Sequence, residues 1–165
     1  MLVLLVRCAE LPEADPDARP IEEALTRAGA SWEWAVWNDP MVAWEQADRV
    51  LIRATWDYYR AHTAFVEWAD SVQAHTTLIA DAATVRWNTH KSYLLELAES
   101  GVRTVPTVWV RRGERHALGR GRCVTKPAVG AASFHTSIRE GTTADQASFD
   151  ALFADPLGGP NRPGG

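Results

Sequence analysis

An apolar run at residues 2–7, Leu-Val-Leu-Leu-Val before Arg7, constrains the fold more than any other feature. A strand that is apolar at every position needs cover on both faces, which a parallel sheet flanked by helices supplies. The next segments fit that demand. After a Pro- and Asp-containing loop at 11–19, Pro20 suits a helix first turn and Glu22 and Glu23 complement its positive end. Ile21, Ala24, Leu25 and Ala28 form one apolar face, and Gly29 ends the helix. Residues 32–37 and 49–53 read as strands. Between 60 and 76, Ala61, Ala64, Phe65, Trp68, Ala69 and Val72 recur at spacings of three and four, which predicts an amphipathic helix. A short strand at 77–80 completes a β-α-β pattern, so a parallel sheet with right-handed crossovers is expected.

Near 81–86 the pattern changes. A helix is predicted from about Thr89 to Ser100, ending at Gly101, then strands at 107–111 and 122–126. A small-residue loop at 128–133 leads to a further strand at 136–140 and a helix at 143–154. The last ten residues hold four glycines and three prolines, too little apolar surface to join a core, and are expected to be disordered. No internal repeat is visible.

Composition excludes several classes of function. The 165 residues are 46% hydrophobic and 23% charged with net charge −4, a globular profile with no general attraction for nucleic acid or membrane. The first apolar run is too short for a signal peptide, and nothing approaches the ~20 apolar residues of a membrane span. Cys8 and Cys123 form neither a disulfide framework nor a zinc site, so a reducing cytoplasmic setting is the default. Most of the eight tryptophans are expected in packing.

Lysine usage points to the chemistry. Only Lys91 and Lys126 stand against fifteen arginines. The predicted helix puts Lys91 in a first turn, where the macrodipole disfavours a cation unless an anion binds beside it. An exposed lysine accounts for that position equally well. Lys126 precedes Pro127, which ends a strand ladder, and the loop Gly130-Ala131-Ala132-Ser133 has so little bulk that its backbone N–H groups can approach a phosphate. An ordinary strand-to-loop transition is the alternative. Neither a G-x-x-x-x-G-K-[ST] loop nor a G-x-G-x-x-G fingerprint is present, which argues against a P-loop and a Rossmann oxidoreductase.

At the carboxyl end of the third strand, where open sheets bind ligands, Arg53, Trp56 and Asp57 are candidates for holding a carboxylate- or amine-bearing substrate. An Arg53–Asp57 ion pair beside buried aromatics is the other reading. The arginines at 111, 112, 115, 120 and 122 flank a hairpin turn and read as a solvated loop. The five histidines lack metal-ligand spacing, and no serine sits in a nucleophile motif.

Four segments together resemble a known family: Arg-x-Thr-Trp-Asp-Tyr at 53–58, Val-Arg-Trp-Asn-x-x-Lys at 85–91, Thr-Val-Pro-Thr-x-Trp-Val at 104–110 and Val-x-Lys-Pro-x-Val-Gly at 124–130. This combination is similar to ATP-grasp proteins of the bacterial group akin to the glutathione synthetase ATP-binding domain. The resemblance implies a preATP-grasp α/β domain at 1–80, the first α+β lobe of the ATP-grasp fold at 81–154, and a tail at 155–165. It implies that Lys91 and Lys126 contact the phosphates of ATP while the loop from Gly130 to Ser133 closes over them. The implied chemistry is activation of a carboxylate as an acyl-phosphate, then attack by an amine or thiol, helped by Mg²⁺ and positioning.

The family pattern continues beyond this chain's length with a second lobe that supplies the Mg²⁺ ligands and an acyl-phosphate arginine. After Lys126 the only acids here are Glu140, Asp145, Asp150 and Asp155, with no pair spaced for magnesium. His90 stands where the family often carries an acid. The expectation is therefore an ATP-binding portion that does not turn over alone, binding ATP and a small carboxylate or amine substrate. The alternative is a non-catalytic module that docks on a partner through an exposed lobe face; the same face favours self-association.

Overall fold

A computed structural model describes residues 1–10 and 17–154 of the chain. It divides into two compact units, Met1–Thr89 and His90–Gly165. The Gly/Pro tail expected from residue 155 lies outside the described residues, as does most of the first loop.

The first unit holds a four-stranded parallel sheet in the order β2-β1-β3-β4, from β1 (Leu2–Arg7), β2 (Ser31–Val36), β3 (Arg49–Ala54) and β4 (Thr77–Ile79). The all-apolar β1 is central, as its sequence demands, with Leu5 and Val6 fully buried. Helix α1 (Ala18–Arg27) covers one face, where Ile21 and Leu25 pack with Val3, Leu5 and Leu51. Helix α2 (His62–Gln73) covers the other, setting Phe65, Ala69 and Val72 against Leu4, Val6, Val50 and Leu78. Burying a side chain of this kind contributes roughly 1.5–3 kcal/mol, so β1 and α2 carry much of this unit's stability. An aromatic cluster extends the second face: Phe65 stacks on Trp68 with centroids 5.3 Å apart and meets the edge of Trp37 at 5.1 Å.

Two local features depart from the sequence reading. Helix α3 (Ala82–Asn88) was not anticipated; Asp81 caps it by accepting the Thr84 N–H at 2.7 Å, and Ala82 and Val85 enter the first unit's core. Helix α3 therefore belongs to the first compact unit, which runs to Thr89. The second is a ladder irregularity: Val6 opposes Ile52 but Arg7 opposes Ala54, so Arg53 is the extra residue of a bulge at the carboxyl edge.

The second unit contains α4 (Tyr93–Glu99), an antiparallel pair β5 (Cys123–Thr125) and β6 (Ser137–Arg139), and α5 (Thr143–Ala154). The predicted helix over 89–100 is shorter at its start, because Asn88 and Thr89 finish α3. Residues 102–110 form no strand, although 107–111 has a strand-like pattern; among the described residues no neighbouring strand pairs with it. Of this unit's described residues only Phe149 and Arg139 are buried. Arg139 donates to Thr125 Oγ1 at 3.2 Å and to the Asp145 carbonyl at 3.2 Å, which ties the strand pair to α5.

Candidate functional site

In the second unit, Lys91 lies in the turn before α4 and not inside its first turn. The macrodipole mismatch inferred from a longer helix is thus not the reason for its position. Lys91 instead clasps the small-residue loop at two points. Its backbone N–H donates to the Ala128 carbonyl at 2.8 Å, and its Nζ donates to the Gly130 carbonyl at 2.9 Å. A Cβ added at 130 would stand 3.0 Å from Pro127 Cγ, tight enough that the ring would have to shift, and 3.7 Å from Lys91 Nζ, an ordinary contact. Partial burial lowers the Lys91 pKa below the ordinary 10.5, and the charge of nearby Lys126 lowers it further. Lys126, directly after β5, is exposed. The two lysines of the chain therefore share one electrostatic neighbourhood although they lie far apart in sequence.

The loop itself is held in an unusual conformation. Ala132 (φ 47°), Ser133 (φ 60°) and His135 (φ 47°) all lie in the left-handed region. Each such non-glycine residue costs on the order of 1–2 kcal/mol. Two turn bonds maintain them, Phe134 N–H to the Ala131 carbonyl at 2.8 Å and Thr136 N–H to the Ser133 carbonyl at 2.9 Å. Exposed Ser133 thus sits at the centre of a tight turn. Strain of this kind persists where the surroundings over-determine it, and it concentrates at ligand-binding loops.

In the first unit, Arg53, Trp56 and Asp57 all lie at or just past the carboxyl end of β3. Asp57 does not take Arg53 as its partner: its Oδ1 accepts the Trp37 indole N–H at 2.9 Å and so joins the aromatic cluster. Arg53 reaches Asp17 with an Nη2–Oδ2 separation of 3.4 Å, at the start of α1. Trp56 remains half exposed at the same edge. Arg7 belongs to this edge as well, although the sequence reading passed over it. Its signal was an arginine ending an otherwise apolar strand.

Each unit thus carries a cationic site, one at the carboxyl edge of a parallel sheet and one on a strained small-residue loop. Among the described residues no three His, Cys, Asp or Glu side chains come together to hold a metal ion. No helix among them is long and apolar enough to cross a membrane.

The fold is that of an α/β protein of the preATP-grasp kind followed by part of an α+β lobe. Residues 3–80 match the family described as D-cycloserine synthetase DcsG, N-terminal domain. The chain is 33% identical over 113 residues to the cycloserine biosynthesis protein DcsG of Streptomyces lavendulae, a match covering 68% of this chain and 38% of that protein. It also superimposes on the crystal structure of D-cycloserine synthetase DcsG with a TM-score of 0.80 and 28% identity, covering 90% of this chain and 54% of that one. The chain therefore spans little more than half the solved relative and well under half the curated one.

Proposed function

We propose that this chain is the ATP-binding part of an ATP-grasp ligase that joins a small carboxylate to an amine or thiol through an acyl-phosphate. The observation that carries the reading is the clasp of Lys91 on the Gly130 loop, with Lys126 close enough to depress its pKa. Two like charges gathered at a strained loop are held at a net cost, and a polyphosphate would offset it. Lys91 and Lys126 are assigned to the phosphates, and the turn from Gly130 to Ser133 to covering them. The similarity to D-cycloserine synthetase favours a small, amino-acid-like substrate, with Arg53 and Trp56 among its contacts. Asp57, bonded to the Trp37 indole, holds the shape of that edge. Kinship with the glutathione synthetase ATP-binding domain is retained for the shared motifs around Lys91 and Lys126.

A second reading has its own support. Val124 and Ile138 oppose each other across β5 and β6, and both are more than half exposed, as are Val105 and Val108. A module that docks through such exposed apolar side chains explains them. Thermal unfolding with and without millimolar ATP separates the two. ATP binding predicts a stabilisation lost in Lys126→Ala; no shift in the unsubstituted chain would refute it.

A further inference from the structure

The carboxyl edge of the first sheet carries two arginines on neighbouring central strands, and both turn toward α1. Arg7 alternates with Val3 and Leu5, which pack under that helix, and the β1–β2 ladder continues undisturbed through Arg7. Arg53 is the bulged residue of β3, and its guanidinium reaches Asp17 beside the start of α1. A bulge re-aims a side chain at a sheet edge, and the ladder register sets this one next to Arg7, which opposes Ala54. The Nε atoms of both are buried. The Asp17 carboxylate, by contrast, is 79% exposed, so it meets Arg53 from the solvent side at the long distance of 3.4 Å. Guanidinium groups tolerate such burial better than ammonium groups and present a planar fork that matches a carboxylate.

We propose that Arg7 and Arg53 form a fork for the carboxylate of an amino-acid substrate, with Asp17 as the internal group that the ligand displaces. Arg7 then contributes to specificity beside Arg53, and half-exposed Trp56 borders the opening. The ligand class rests on the ligase reading above, but the fork and the nucleotide site lie in different units and are tested separately.

The test is calorimetric titration of the full chain with D-serine, the amino acid contained in the name of the relatives' product, and with D-serinamide, which lacks the carboxylate. D-serine should bind and D-serinamide should bind at least tenfold more weakly. Arg7→Gln should weaken D-serine by about tenfold or more while ATP binding stays unchanged, since one charge-assisted contact is worth ~1.5–3 kcal/mol. Asp17→Asn should strengthen D-serine several-fold, a gain that a purely structural role for Asp17 would not give. Equal binding of the acid and the amide, no binding of D-serine, or unchanged affinity in Arg7→Gln would each overturn the fork. If Arg7→Gln fails to fold, Asp17→Asn decides: unchanged or weaker affinity refutes the proposal. Binding of D-serine without ATP binding would leave the fork standing and remove the ligase reading.

Discussion

Replacing Lys126 with methionine should change stability and ligand affinity in opposite directions. In the unliganded protein Lys126 is a cost, because its charge is one of the two causes that lower the Lys91 pKa. A lysine whose folded pKa is depressed contributes stability fully only above its ordinary value of 10.5, and that contribution is lost as pH falls through the lowered value. At neutral pH the charged Lys91 is thus held against an unfavourable field. Lys126→Met removes the second cause and leaves burial, the first. Because Lys126 is exposed, the relief is worth only ~0.2–0.5 kcal/mol, the lower range for exposed charge pairs. For a chain of this length that is a rise of roughly 1 °C in Tm. ATP affinity should fall by about 10- to 100-fold, the equivalent of ~1.5–3 kcal/mol for one charge-assisted phosphate contact. Calorimetric unfolding at pH 7 and ATP titration of the same preparations supply both numbers. Unchanged ATP affinity in Lys126→Met would refute the assignment. A Tm lowered by several degrees would also count against it, since Lys126 would then be structural. As pH rises through the lowered Lys91 pKa, ATP affinity of the unsubstituted chain should decline below pH 10.5, before an ordinary lysine titrates.

Two further outcomes test the fold that supports this site. Gly141 has φ 69°, and a Cβ there would lie 2.3 Å from the Gly119 carbonyl oxygen, so Gly141→Ala should shift the urea midpoint downward by at least ~1 kcal/mol in equivalent stability. Asp145 accepts bonds from Thr142 and Glu140, and Asp81 accepts from Thr84; both carboxyls are held below the ordinary 3.8, Asp145 chiefly by the Thr142 hydroxyl and Asp81 by the Thr84 N–H. Their contribution is complete above 3.8 and lost as pH falls through the depressed values, so acid titration of Asp145→Asn should show less loss of stability below pH 3.8 than the parent.

The first unit was legible because its chemistry is local. An apolar run, a helix with three-and-four spacing and the cadence of turns place β1 through β4 and α2 within a few residues. Helix α3 escaped because seven residues carry little periodicity and its signal was a single cap, Asp81. The segment at 107–111 shows the opposite case: alternation alone does not make a strand when no neighbouring backbone satisfies its hydrogen bonds. At the sites, residue choice was legible and partnership was not. Lys91, Lys126 and the Gly130 loop stood out by type. The bond from Lys91 to Gly130 spans 39 positions, which no local pattern encodes. An Arg53–Asp57 pair is one of the two readings the sequence allows, but Trp37, twenty residues earlier, takes Asp57 because indole N–H groups in packed clusters need an acceptor.

The Lys91 clasp also has a consequence in chain entropy. Holding Lys91 against Gly130 closes a span of 39 positions, at a cost of roughly 3 kcal/mol before any constant for chain stiffness. Within that span the described residues bury almost nothing, so few other contacts offset the closure. The clasp should therefore open more readily than the sheet of the first unit, and amide hydrogens of residues 92–129 should exchange early. An anion bridging Lys91 and Lys126 would act as a reversible cross-link at the base of this loop, slowing exchange throughout residues it never touches.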